Sequence, residues 1–303
     1  MYKDNLGNWM NTFSFIIAAY NSASYIVNTI QSVVDTKYDP NKYEIIIVDD
    51  GSTDNTLEIC NKLQKQYSNI RIFSKPNGNW GSVINYVRKN NLVNNEYVVI
   101  LDSDDLIFKN FFKIFNKKSK NSDMFLMGLW VQGKVFKYYA SPYYWIFKRT
   151  VPRDNRYTVA FAPFSIIMKK SIFNQAPDLV ENTSYQDFYL FVDLLSKAKT
   201  VRYTPWPSGL YNKYRPGNTM GAKWNDKRMM QEQLLHNKLK EINLAETLVF
   251  RIFMSGYCRK AQETNYKIEM NKIPKPSWLP RWIHWAYWII YFVHLKKYVL
   301  IKK

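Results

Sequence analysis

Three apolar runs near the start of this chain each stop at a short polar cluster. Residues 97–101, YVVIL, are continuously apolar, as a strand buried on both faces of a sheet requires. They end at Asp102-Ser103-Asp104-Asp105. Residues 43–48, YEIIIV, end at Asp49-Asp50-Gly51-Ser52, and residues 13–19, FSFIIAA, end at Tyr20-Asn21. Helical spacing fills the gaps. Tyr25, Ile26, Ile30, Val33 and Val34 recur after the first run, and Leu57, Cys60, Leu63 and Tyr67 after the second. Asn21-Ser22 is placed to cap the first helix, and Thr53-Asp54 to open the second. A short strand over 70–74, a turn at Pro76-Asn77-Gly78 and a helix over 82–89 complete the alternation. Strand–helix alternation with short links predicts an α/β fold with a doubly wound, mostly parallel sheet. The acidic strand ends then share one edge, where open sheets bind ligands.

Three carboxylates in four residues are costly to hold together unless a cation sits among them. Hard oxygen ligands suit Mg2+ or Mn2+, and such ions commonly hold phosphate as well. The alternative is a solvated, turn-forming acidic loop. His236, His284 and His294 have no ligand spacing, and Cys60 and Cys258 form no disulfide or zinc pattern, so both cysteines read as small buried hydrophobes.

Beyond residue 110 the cadence changes. Residues 124–130 and 164–168 read as strands, 188–195 as a helix, and 201–203 and 210–214 as short strands. From Trp224 the pattern is helical, broken by a proline-punctuated linker at 273–280. The charge is uneven. Residues 1–110 hold 10 Lys and Arg against 12 Asp and Glu, whereas the remainder holds 33 against 12, for a net charge of +19. The last stretch, 281–303, is rich in Trp and Tyr, carries no acid and ends in lysines. That suits a helix lying in the plane of an anionic membrane surface, or else a helix packed on the protein's own core or in an oligomer interface. The polar start of the chain, MYKDNLGNWMN, has no long apolar run, which predicts a cytoplasmic location.

Three segments in order, FIIAAYN at 15–21, IVDDGSTD at 47–54 and ILDSDD at 100–105, resemble the nucleotide-binding half of the inverting family-2 glycosyltransferases, which have a Rossmann-like, single-domain fold. The resemblance is specific over 13–110, readable to about 220 and absent beyond. It implies a glycosyltransferase domain over 1–220, with a nucleotide-binding part at 13–110 and an acceptor-binding part at 111–220, followed by a helical, basic and aromatic extension at 221–303. It also implies a donor site of Ala19, Tyr20, Asn21, Asp49, Asp50, Asn77, Gly78, Asn85, Asp102, Ser103 and Arg215. Tyr20 can stack on a base. Asp49 or Asp50 can accept the uracil N3–H. Asp102 would address the ribose or the metal, and Asp104 the metal, Mn2+ or Mg2+. Ile84 stands where the family often has Arg, and Ala18 where it favours Pro.

In the later motif, Gln186-Asp187 resembles the family's Glu-Asp pair opening a helix, which makes Asp187 the catalytic base. A helix N-terminus would keep that base ionised at neutral pH. The segment 211–220, with Lys213, Arg215 and Gly217, resembles the family's loop over the diphosphate.

The activity so implied is transfer of a hexose from a UDP-sugar to an acceptor hydroxyl with inversion. The basic aromatic tail suggests a lipid-linked saccharide at the inner face of the membrane, as in capsule or exopolysaccharide assembly. Within the same class stand enzymes that extend glycans on proteins or modify teichoic acid. Outside it stand a basic nucleic-acid binder and a nucleotidyltransferase. An acidic sheet edge argues against specific nucleic-acid binding. Oligomerisation stays open.

Overall fold

The computed structural model describes residues 2–3, 9–132, 137–139, 162–184, 186–212, 230–231, 234–235, 238, 268–269 and 300–301. The chain divides into two compact units. One comprises Met1–Thr183 and Lys197–Gly221, the other Ser184–Ser196 and Ala222–Lys303.

The first unit carries a nine-stranded sheet. In chain order its strands are β1 (Phe13–Ala19), β2 (Tyr43–Asp49), β3 (Ile70–Ser74), β4 (Tyr97–Asp102), β5 (Leu106–Ile107), β6 (Met124–Val131), β7 (Lys137–Tyr139), β8 (Ile166–Lys169) and β9 (Val201–Tyr211). The spatial order is β3-β2-β1-β4-β8-β6-β9-β5, with β7 on β6. The run β3-β2-β1-β4 is parallel throughout, as the alternating pattern predicts. Past β4 the sheet is mixed. β8 is antiparallel to both β4 and β6, and β9 returns parallel to β6. The α/β expectation therefore holds, with the parallel part confined to the first half.

Helices α1 (Ile26–Val34), α2 (Thr56–Gln66), α3 (Asn79–Lys89), α4 (Phe111–Lys118) and the short α5 (Lys170–Phe173) belong to the same unit. Alternate residues of β1 explain the layering. Phe13, Phe15, Ile17 and Ala19 join one core with Ile26, Ile30 and Val33 of α1, Cys60 and Leu63 of α2, and Phe111, Phe112 and Phe115 of α4. The residues between them face the other side. There α3 packs on β1 and buries Val83, Ile84 and Val87. Aromatic edges lock α4 to the strands. Phe112 stacks on Tyr38 at 4.0 Å and meets Phe13 edge-on at 4.8 Å. Burial pushes the Cys60 thiol up to about 12, so it is an inert packing group.

At the edge where β2 begins, the buried Glu44 carboxylate accepts from Ser14 Oγ at 2.6 Å, Arg71 Nη1 at 2.8 Å and the Asn94 backbone N–H at 2.7 Å. A buried charge is tolerable when it is both paired and hydrogen-bonded in this way.

Some boundaries differ from the expected ones. α1 starts at Ile26 with no side-chain cap, because its N-cap position falls on Tyr25 and not on Asn21 or Ser22. α3 starts at Asn79, three residues before the predicted 82. Phe164 lies in a 3-10 turn, Pro163–Ser165, ahead of β8. The two short strands predicted over 201–214 are one strand ending at Tyr211, with register shifts between Tyr203 and Pro207 and between Pro207 and Leu210. Proline lacks the N–H that a regular ladder needs, and two prolines lie in that interval.

In the second unit α6 (Asp187–Lys197, whose last residue counts with the first unit) matches the helix predicted over 188–195. Leu300–Ile301 pairs with Ile268–Glu269 as a two-residue parallel ladder, so helix does not continue to the end of the predicted 281–303 segment. The rest of that segment, the linker at 273–280 and Cys258 lie outside the described residues. Among the described residues no helix is long and apolar enough to cross a membrane.

Candidate active site

The parallel register lines up the strand ends. Ala19 lies opposite Asp49, and Ala18 opposite Asp102. Strand spacing of about 4.8 Å then puts the carboxyl ends of β2 and β4 roughly 10 Å apart, with Tyr20 leaving between them. Tyr20 is 49% exposed, an unusual state for a large aromatic directly after a buried strand. Asn21, at φ 46°, turns the chain away from the sheet. Its Oδ1 accepts from the Thr53 N–H at 2.8 Å, and its own N–H donates to Ser52 Oγ at 3.0 Å. The ends of β1 and β2 are thereby clasped together.

The two aspartates after β2 have different surroundings. One carboxylate oxygen of Asp50 is committed internally. Its Oδ1 accepts from Lys75 Nζ at 2.7 Å and from the Gly78 N–H at 3.1 Å. Asp49 is buried as well, yet only its Oδ2 is used, at long distances from the Ser52 N–H (3.3 Å) and Ser74 Oγ (3.4 Å). Asp49 Oδ1 is buried with no hydrogen-bond partner among the described residues. Gly51 takes φ 72°, and a Cβ there would lie 2.9 Å from the Asn77 backbone nitrogen, so only glycine fits. Asn77 Nδ2 in turn donates to the Asp50 carbonyl at 2.9 Å.

Asn85 is also spent on the protein. Its amide makes two bonds to the Leu179 backbone, at 2.8 and 2.9 Å. The Asn182 N–H donates to the Gly78 carbonyl at 3.0 Å. Asn85 and Gly78 therefore anchor the segment after α5. Those two bonds fix the Asn85 amide in place.

At the end of β4, Ser103 is buried. Its hydroxyl shares a 2.6 Å hydrogen bond with the Ser22 hydroxyl, and its carbonyl accepts from Thr29 Oγ1 at 2.9 Å. Ser103 thus ties the acidic loop to the start of α1. Asp105 is fully buried, and its Oδ1 accepts from the Asn212 N–H at 2.9 Å. Asp104 is 8% exposed and Asp102 half-buried. Asp102 Oδ1 accepts from the Trp80 indole at 3.1 Å.

Among the described residues no three His, Cys, Asp or Glu side chains converge as a metal-holding group. Asp102 and Asp104 together fit a small hard cation that takes one or two carboxylates and fills its shell with water and phosphate oxygens.

Asp187 opens α6 in the second unit. Burial pushes its carboxyl up from the ordinary value, against backbone N–H bonds from Phe188 and from Asp187 itself that pull it down. The helix-terminus effect expected from the sequence is present, and burial outweighs it. Arg215, Lys213 and Gly217 lie outside the described residues.

Sequence reasoning missed Trp80, Lys75 and Ser82. Lys75 Nζ also donates to Ser82 Oγ at 2.8 Å, completing the clasp around Asp50. Trp80 and Ser82 lie in the first turn of α3, which follows directly on the Asn77-Gly78 turn.

A sheet whose first half is parallel, with acidic carboxyl ends gathered on one edge, defines an α/β protein of the class whose ligands bind at that edge. The family profile described as Glycosyl transferase family 2 matches residues 14–175. This chain belongs to that family. It is 30% identical over 295 residues, 95% of its length and 98% of the other's, to a Mycoplasma pneumoniae protein named as an uncharacterized glycosyltransferase, MG060 homolog. Among solved structures, residues 1–349 of S. aureus TarS in complex with UDP-GlcNAc superpose with a TM-score of 0.64 at 20% identity, covering 84% of this chain and 74% of that one. The mannosyltransferase PcManGT from Pyrobaculum calidifontis, in complex with GDP-Man and Mn2+, superposes with a TM-score of 0.60 at 11% identity, covering 95% and 84%. At these identities the two structures share the fold with this chain.

Proposed function

We propose that this glycosyltransferase moves a hexose from a UDP-sugar to an acceptor hydroxyl with inversion at C1. The observation that carries the reading is the pairing of an exposed Tyr20 with the orphaned Oδ1 of Asp49 on the ligand edge. A uracil ring stacked on Tyr20 would offer its N3–H to Asp49, relieving a buried, unpaired acceptor. Asp50 Oδ1 already accepts from Lys75 Nζ and the Gly78 N–H, which favours Asp49 for this contact.

Asp102 and Asp104 would hold Mn2+ or Mg2+. When bound, such an ion neutralises charge on the diphosphate leaving group. The Mn2+ in the PcManGT complex is compatible with a divalent metal here. Arg215 would add a cation at the diphosphate. Asp187 would act as base. The acceptor oxygen bonds to C1 as the C1–O bond to UDP breaks, the hydroxyl proton passes to Asp187, and UDP leaves with the bonding pair. The acceptor we infer is a lipid-linked saccharide at the inner face of the membrane, with 281–303 lying on that surface and the enzyme peripheral there. The net charge of +19 supports an anionic surface as partner.

Titration calorimetry with UDP, GDP, CMP and TDP, each with Mn2+ and with EDTA, tests the donor site. UDP is expected to bind selectively, and removal of the metal to weaken it. GDP preference, in line with the PcManGT ligand, would overturn the uridine assignment, and identical UDP affinity in EDTA would overturn the metal assignment.

A further inference from the structure

The acidic loop after β4 is touched by a residue that no motif in the sequence marks. Trp80 is the second residue of α3, and its indole Nε1–H donates to Asp102 Oδ1 at 3.1 Å. Tryptophan can only donate at this nitrogen, and the carboxylate can only accept, so the bond has one polarity. It links two strand ends through α3. Asp50, after β2, bonds the Gly78 N–H and Lys75 Nζ. Lys75 bonds Ser82 Oγ, which bonds the Asn79 carbonyl at 2.7 Å. The first turn of α3 is thereby fixed, and the indole it carries reaches Asp102. There is little slack in this turn. A Cβ on Gly78 would sit 2.6 Å from Ser82 Oγ.

We propose that Trp80 is a positioning residue for donor binding, which sets the orientation of the Asp102 carboxylate. The inference rests on the nucleotide-sugar reading above. The choice of residue has a chemical logic. Asp102 stands beside two further carboxylates and needs a directional hold. A Lys or Arg would supply one but would cancel the negative charge that a divalent cation needs. A neutral indole orients the carboxylate and leaves its charge in place. Phenylalanine would keep the ring and lose the hold.

The test is UDP titration calorimetry on wild type, Trp80→Phe, Trp80→His and Asp102→Asn, in Mn2+ and in EDTA, with thermal melts of each. Trp80→Phe is expected to weaken UDP binding about tenfold or more in Mn2+, the loss of one hydrogen bond to a charged group. In EDTA its affinity should match wild type. Trp80→His, which keeps a neutral ring N–H, should recover part of the Mn2+-dependent affinity; it also carries the test if the Phe variant fails to fold. Unchanged affinity of both Trp80 variants in Mn2+ would overturn the inference. Equal weakening in Mn2+ and EDTA would overturn it too if Asp102→Asn lowers UDP affinity in Mn2+ alone, because Trp80 would then be contacting the nucleotide itself. If wild type shows no Mn2+-dependent UDP binding, the donor reading fails first, and the inference falls with it.

Discussion

Asp49 and Asp50 are neighbours of one type, yet their environments assign them different work. Sequence could name both as candidates, because a DDG at a strand end is legible in the pattern. It could not separate them, because the partners of Asp50 come from Lys75 and Gly78, on a segment beyond the next helix. The same holds for Asn85 and Ser103, which the resemblance places at the nucleotide and whose bonds go to Leu179, Ser22 and Thr29. Asp187 makes a prediction at this scale. With its folded-state value raised by burial, its ionised form is disfavoured in the native state. Stability from this group is full below the unfolded value, about 3.9, and is lost as pH rises through the folded value. Asp187→Asn should therefore melt higher than wild type at pH 8, with the gap closing toward pH 4. In its proposed role as base Asp187 must be ionised to work, so wild-type kcat/KM should fall on the acid side at a pH above the ordinary carboxylate range. The variant should keep UDP binding and lose turnover, by a factor of about 10²–10⁴. Full turnover in the Asn variant would remove Asp187 from the mechanism.

Among the elements, β1, β2 and β4 were readable because each is an apolar run with a sharp polar stop. Their neighbours on the other side of the sheet were harder. β9 is a single strand that two prolines make look like two, since a bulged ladder has no clean period. α3 opens directly behind the Asn77-Gly78 turn, at an Asn79 whose φ of 67° lies outside the right-handed helical region, and periodicity does not register such a residue. α4 carries three of the aromatic side chains in the core, Phe111, Phe112 and Phe115. Phe112 is 3% exposed and meets Phe13, Phe15, Tyr38 and Tyr43, so it joins the helix to two strands and the loop between them. Phe112→Ala should cost about 3–5 kcal/mol, lowering the melting midpoint by roughly 10 °C in differential scanning calorimetry. A drop of only a degree or two would mean the cluster repacks around the loss.

For the molecule as a whole, composition pulled toward nucleic acid or membrane, while the ordered strand ends pulled toward a nucleotide-sugar site. Family membership favours the second. Charge is a property of the surface and says little about a fold built from β1 to β4, where the charges are almost balanced. The ligand edge also has a kinetic consequence. Its backbone N–H groups are bonded to side chains from remote segments: Ser22 to Thr56 Oγ1 at 2.7 Å, Thr53 to Asn21 and Gly78 to Asp50. Opening any one loop means breaking bonds in the next, so these loops should not fray singly. In native-state hydrogen exchange the amides of Ser22 and Gly78 should be protected nearly as well as those of β1, with exchange through larger cooperative openings. Loop-like exchange at both would show instead that the edge opens piecemeal. An edge that opens only as a unit is already shaped when the donor arrives, and association then proceeds at the rate of encounter, with no folding step ahead of it.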